Sequence, residues 1–142
     1  FIIYVSGDRE AVQTSVLFAR DSQKKLIGSF VISNVSPLLV EALKKSEAAK
    51  RGEALGIVEC RNVSAGINAA DKAVKKSEVR LLKFVSGQGI MGKSFYVLGG
   101  DVAAVREAVE TSREVLADRL VEAVVIPNPA EAMASALTGG VR

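Results

Sequence analysis

The hydrophobic pattern from residue 54 onward predicts four short strands. Short runs of apolar and β-branched residues, in part alternating with polar ones, are typical of strands in a sheet. Such runs occur at residues 54–60, 79–85, 94–98 and 122–126. Only a glycine-rich stretch separates the second run from the third. We therefore expect these two strands to form a β-hairpin.

Two longer segments between the strands carry apolar residues at three- and four-residue spacing, which predicts amphipathic helices. The first stripe is Val63, Ile67, Ala70 and Val74, and the second is Val102, Val105, Val109, Ser112 and Leu116. Asn62 or Ser64 is expected to cap the first helix, and Asp101 the second, because their side chains can accept from free backbone amides.

A last, short helix is expected after the fourth strand. Asn128 suits the N-cap position, Pro129 the first helical position, and Glu131 a capping box. The resulting order is β-α-β-β-α-β plus a short helix. This order predicts an α+β, ferredoxin-like fold, with an antiparallel sheet and helices on one face.

The first 43 residues repeat the second half of this unit. Gly7-Asp8 returns as Gly100-Asp101, Val31-Ile32 as Val125-Ile126, and Asn34 as Asn128, all nearly in one register. The shared order is strand, Gly-Asp, helix, strand, turn and short helix, which indicates two tandem copies of one fold. We expect three parts: residues 1–43 as the C-terminal half of a first domain, 44–53 as a charged linker, and 54–142 as a complete second domain. The first domain is expected to be truncated, so that further residues precede Phe1 in the natural protein.

Composition excludes several classes of chemistry. The 142 residues include no histidine or tryptophan and a single cysteine, so histidine-based triads and histidine-ligated zinc cannot be built. No convincing acid–base pair is present, and we predict no catalytic residues and no enzyme. A net charge of +3 without a dense basic stripe does not indicate nucleic-acid binding. No apolar run is long enough to predict a membrane span.

Residues 87–94 also fit the phosphate-loop pattern, through Gly87, Gly92, Lys93 and Ser94. A phosphate loop leads into a helix whose first amides face the phosphates. Here an aromatic and β-branched stretch follows, so a hairpin loop is the favoured interpretation. Nucleotide binding through this loop is kept as a remote alternative.

Four motifs resemble the bacterial microcompartment shell domain. They lie at residues 54–59, 69–75, 99–105 and 125–129. The tandem arrangement is similar to trimeric, double-domain shell proteins, closest to the propanediol-utilisation type. The resemblance implies a structural shell tile, a homotrimer that forms a pseudohexamer with a central pore. Its expected location is a microcompartment shell in the cytoplasm. The implied partners are other shell proteins and, as a further option, enclosed enzymes, without nucleic acid or membrane.

The resemblance also implies site residues. The pore would be lined or flanked by the glycine-rich loop, which comprises Ser86, Gly87, Gln88, Gly89, Ile90, Met91 and Gly92. Lys75 is expected at the tile edge, together with Asn128, which stands where the family often has arginine.

An alternative function is a redox relay in the shell. It would need a 4Fe-4S cluster bound through a cysteine upstream of Phe1. Cys60 lies at the end of a strand and is expected to be a small buried hydrophobe, so no metal ligand or cofactor is assigned within this chain.

Overall fold

The computed structural model describes residues 1–44, 52–87 and 89–139, and its centre is a four-stranded antiparallel sheet. The strands are β1 (Ala54–Cys60), β2 (Arg80–Ser86), β3 (Ser94–Gly100) and β4 (Leu120–Pro127). Their order is β2-β3-β1-β4, so β1 pairs with both β3 and β4. The four predicted strands and the ferredoxin-like sheet order are thus confirmed.

Five α-helices are formed by the described residues. They are α1 (Arg9–Ser22), α2 (Pro37–Leu43), α3 (Val63–Lys76), α4 (Val102–Leu116) and α5 (Glu131–Thr138), with a 3-10 turn at Ala117–Arg119 before β4. The predicted caps hold: Asn62 accepts from the Ala65 amide, and Asp101 from the Ala104 amide. No helix among the described residues is long and apolar enough to cross a membrane.

The long helices α3 and α4 pack against one face of the sheet, as predicted. Alternate strand residues such as Val58, Tyr96 and Leu98 form the core with them. The short helix α5 departs from the prediction of helices on one face. Its Ala134 packs with Leu55, Leu82 and Val97, which point to the opposite face because side chains alternate along a strand.

The predicted start of the last helix is wrong. The helix begins at Glu131, and Ala130 precedes it as N-cap without a side-chain hydrogen bond. Asn128 instead adopts a left-handed conformation, with φ +46°, and donates its backbone N–H to the Glu53 carbonyl at 2.8 Å. This bond continues the pairing of β4 with β1 by one residue beyond the end of each strand. The backbone of Asn128 is therefore still bonded to the chain that leads into β1.

Residues 1–44, all of which the structure describes, form two helices and no strand. The strands predicted at each end of α1 are not formed: residues 1–6 are exposed, and residues 29–32 are half-buried. The sequence comparison aligns these two segments with β3 and β4, both of which pair with β1. No counterpart of β1 occurs within residues 1–44, so neither segment has a strand to pair with. Helix α2 nevertheless packs against β2 and α3, with Leu39 fully buried.

Candidate functional site

The glycine-rich hairpin loop joins β2 to β3 and projects beyond the sheet. Its ends are closed by a backbone bond from Gly87 N to the Lys93 carbonyl at 3.0 Å, and Lys93 N donates to the Ile90 carbonyl at 3.1 Å. Left-handed φ values occur at Gly87 (+72°), Gly89 (+76°) and Gly92 (+81°). Glycine is the residue that adopts this conformation without steric cost, which explains the composition of the loop. Gln88 lies outside the described residues.

Met91 is the exception within this loop. It also has a left-handed φ, +56°, although it carries a full side chain, and that side chain is 99% exposed. A β-carbon added at Gly89 or Gly92 would meet no atom within 4 Å. The tip of the hairpin is therefore open in the single chain, and Met91 is fully exposed there.

The lysine and serine of the phosphate-loop pattern have structural partners instead. Lys93 forms an ion pair with Glu59 on β1, with Nζ and Oε1 at 3.1 Å. Ser94 is buried, and its hydroxyl donates to the Asn62 carbonyl. The residues that follow the loop form β3, not a helix. The hairpin prediction is confirmed, and the strand–loop–helix geometry of a phosphate loop is not formed.

Cys60 ends β1 and is fully buried, in agreement with its interpretation as a small hydrophobe. Burial raises the pKa of its thiol to about 11, opposed in part by a hydrogen bond with Ser94 and reinforced by the charge of Glu59. The thiol is therefore protonated at neutral pH, and a protonated thiol is a weak nucleophile. No group of three or more His, Cys, Asp or Glu residues that could hold a metal occurs within the described residues. An iron–sulfur cluster thus has no support here.

The charged pair of Asp71 and Lys75 on α3 is the second candidate region. Lys75, the predicted edge lysine, pairs with the Asp71 carboxylate one turn earlier on the helix. Its Nζ also donates to the Ser33 carbonyl at 3.3 Å. Asp71 in turn accepts from the Ser36 backbone N–H at 2.7 Å. Residues 33–36 are thereby held against α3.

Two turns that the sequence comparison aligns, at Asn34 and Asn128, share one conformation. Asn34 has φ +52°, and its repeat equivalent Asn128 has φ +46°. Both residues are exposed, and each precedes a short helix. Asparagine is one of the few residues with a side chain that visits this region readily. The turn geometry therefore repeats along with the sequence.

Sequence reasoning located the hairpin but missed two charged residues. Glu59, the partner of Lys93, becomes visible only when β1 and β3 are paired. Asp71 could have been found, because an acidic residue four positions before Lys75 predicts a pair on one helix face. Its contact with the distant Ser36 has no such local signal.

Comparisons with known proteins point to one family. The sequence model of the BMC domain matches residues 54–129. The bacterial microcompartment shell protein PduT of Citrobacter freundii is 35% identical over 136 residues, covering 94% of this chain and 74% of that protein. The carboxysome shell protein CsoS1 of Prochlorococcus marinus is 35% identical over 94 residues, covering 63% of this chain and 87% of that protein.

Solved structures agree with the sequence comparisons. The crystal structure of a microcompartment protein from Desulfitobacterium hafniense DCB superposes with a TM-score of 0.79 and 35% identity. The superposition covers 90% of this chain and 73% of that one.

Proposed function

The chain belongs to the BMC-domain family, and we propose from this membership that it is a structural, non-enzymatic shell protein of a bacterial microcompartment. Its proposed location is the shell itself, in contact with other shell proteins. The observation that carries the proposal is the family match across β1 to β4, joined to an exposed glycine hairpin. Such a hairpin costs backbone entropy and gains little within the single chain.

The tandem arrangement is part of the proposal. Residues 1–43 are proposed as the C-terminal half of one shell domain, and residues 54–142 as a second domain. The linker at 44–53 falls mostly on residues 45–51, which lie outside the described residues. Two observations support the duplication: the paired left-handed turns at Asn34 and Asn128, and the different lengths matched in the relatives. CsoS1 is nearly covered by 94 residues, whereas the match to PduT takes 136.

We further propose that three chains assemble as a homotrimer, a pseudohexameric tile with a central pore. The hairpins would converge on the axis, and the lining or flanking residues would be Ser86, Gly87, Gln88, Gly89, Ile90, Met91 and Gly92. Small residues at the tip let several loops approach one another closely. Exposed backbone amides in left-handed turns can face a permeating molecule. Met91 would then place an apolar ring at the narrowest part.

The tile edge is proposed to include Lys75 and Asn128. The side chain of Lys75 is 37% exposed although its ammonium is hydrogen-bonded, and Asn128 is exposed at the end of β4. Both therefore remain available to a neighbouring tile.

The assembly is tested by light scattering after size-exclusion chromatography. We expect a mass three times that of the 15.0 kDa chain, with flat sheets or tubes visible by electron microscopy at high concentration. A monomer that stays monomeric at high concentration would contradict the proposal.

The position of the pore is tested by cross-linking. Because Cys60 is buried, a Met91→Cys variant carries one accessible thiol. A short bis-maleimide is expected to join Met91→Cys chains covalently. The same reagent is not expected to join a Glu107→Cys control, whose cysteine lies on the exposed face of α4. A trimer in which Met91→Cys and the control behave alike would place the hairpin away from the axis.

A further inference from the structure

Asp71 is a carboxylate with almost no access to water. Its side chain is 3% exposed, although it lies on α3 near the outer edge of the fold. Burying a charged group is costly unless hydrogen bonds and an opposite charge replace the lost water. The partners of Asp71 therefore identify what this residue is for.

These partners come from both repeats. One carboxylate oxygen, Oδ1, accepts from the Ser36 backbone N–H at 2.7 Å, and the other, Oδ2, pairs with Lys75 Nζ. The same Nζ donates to the Ser33 carbonyl at 3.3 Å. A carboxylate and an ammonium on one helix face thus bind one N–H and one carbonyl of the turn at residues 33–36.

The chain on either side of this turn also follows the second domain. A β-carbon at Gly28 would lie 2.7 Å from the Ser64 hydroxyl oxygen at the start of α3. The Phe30 ring lies 5.5 Å from the Arg119 guanidinium carbon. Beyond the turn, Leu39 on α2 is fully buried in the core. The turn is the polar centre of a longer contact whose two flanks are apolar or close-packed.

We propose that Asp71 is a positioning residue that docks the turn of the first repeat and orients Lys75 for the tile edge. A lysine ammonium has three N–H donors. Two are directed inward, to Asp71 and Ser33, which leaves the third for an acceptor outside the chain. The edge role of Lys75 rests on the proposed function, whereas the docking of the turn rests on the contacts alone.

Hydrogen exchange measured by mass spectrometry tests the docking. The reporters are the amides of Leu39, Val40 and Lys44, which bond within and around α2. Removal of a charged hydrogen bond in Asp71→Ala is expected to speed their exchange about tenfold or more. Asp71→Asn keeps an acceptor for Ser36 and is expected to show a smaller increase.

A lysine on the same helix supplies the matched control. Lys72→Met removes an exposed charge from α3 and is expected to leave the exchange rates of α2 unchanged. If Asp71→Ala exchanges as the unsubstituted chain does, with unchanged far-UV circular dichroism, the docking role is overturned. If Asp71→Ala does not fold, Asp71→Asn is compared with Lys72→Met instead. Equal exchange rates of α2 in these two variants would then overturn the docking role.

Sheet formation tests the edge half of the proposal. Asp71→Asn and Lys75→Met are expected to raise the concentration needed for sheets several-fold, while Lys72→Met is not. Asp71→Asn sheets that form like those of the unsubstituted chain would overturn the orienting role. If the unsubstituted chain forms neither trimers nor sheets, the proposed function and this edge role fail together, and the exchange result on docking still stands.

Discussion

Replacing Gly66 by alanine tests how closely α3 approaches the sheet. Gly66 is buried in α3, above the start of β3. A β-carbon at this position would overlap the Ser94 hydroxyl oxygen. It would also lie 3.3 Å from Cys60 Sγ and 3.4 Å from Phe84 Cζ. Since each of these neighbours is itself packed in the core, the helix or the strand must shift to admit the methyl group.

Two opposing terms set the magnitude. Overpacking a well-filled core costs about 1–3 kcal/mol. Alanine in place of glycine inside a helix contributes about 1 kcal/mol in the other direction. We therefore expect Gly66→Ala to lower the free energy of unfolding by up to about 2 kcal/mol, despite the better helix propensity of alanine.

A double-mutant cycle isolates the clash with Ser94. Ser94→Ala removes the hydroxyl, which donates to the Asn62 carbonyl at 3.1 Å, and is expected to cost about 1 kcal/mol. The carbonyl retains the bond from Gly66 N at 3.3 Å, so no buried acceptor is left without a partner. With the oxygen removed, the added methyl group has space. The double variant is thus expected to be more stable than the sum of the single changes by about 1 kcal/mol.

Urea unfolding followed by far-UV circular dichroism supplies the four free energies. The slope against urea must stay constant across the variants for the comparison to hold. A Gly66→Ala variant more stable than the original chain would refute the close approach of α3. Additive effects of the two substitutions would show that Ser94 is not the group in the way.

Three further outcomes are expected. Burial raises the pKa of the Cys60 thiol from 9.0 to about 11, so the stabilising contribution of this thiol is complete below about pH 9 and falls as pH rises toward 11. The free energy of unfolding of Cys60→Ala should therefore fall less than that of the original chain over this pH range. An equal fall in both proteins would contradict the prediction. Thr111→Val is expected to stabilise the fold by roughly 1 kcal/mol in urea unfolding, since the buried Thr111 hydroxyl has no hydrogen-bond partner within the described part of the chain. Ser112→Ala is expected to destabilise the fold, because it removes a hydrogen bond to the Ala108 carbonyl. The opposite order of stabilities would show that the hydrogen bonding of these two hydroxyls is wrongly assigned. Asn128→Ala is expected to lower the free energy of unfolding by about 1 kcal/mol, because residue 128 has a left-handed φ, and Asn128→Gly is expected to lower it less. Equal stabilities of the two variants would argue against that conformation.

Most of the structure from β1 onward could be predicted from short-range patterns. The patterns that predict these elements involve residues close together in the chain. They are the alternation in β1 to β4, the apolar stripes on α3 and α4, and the caps at Asn62 and Asp101. The hairpin also has a local cause, since a cluster of glycines between two strands permits left-handed backbone. These features are readable because neighbouring residues alone determine them.

The failed expectations all involve distant residues. The strands expected on either side of α1 have the right composition, but a strand needs a partner, and β1 is already paired on both sides. Asn128 has the composition of a helix cap, yet its N–H is taken by Glu53, which moves the helix start to Glu131. The pattern of side chains along the sequence does not predict which backbone group a residue will hydrogen-bond across the sheet.

The sequence by itself determined the order of strands and helices over residues 54–139 and the glycine hairpin, because each depends on periodicity or on conformational preference. Only the tertiary structure decided that Asp71 is buried and shared between Ser36 and Lys75. That contact joins residues 35 positions apart in the chain. A carboxylate on a helix face is ordinarily solvated. It is buried here against the distant turn at residues 33–36, and no local pattern predicts that contact.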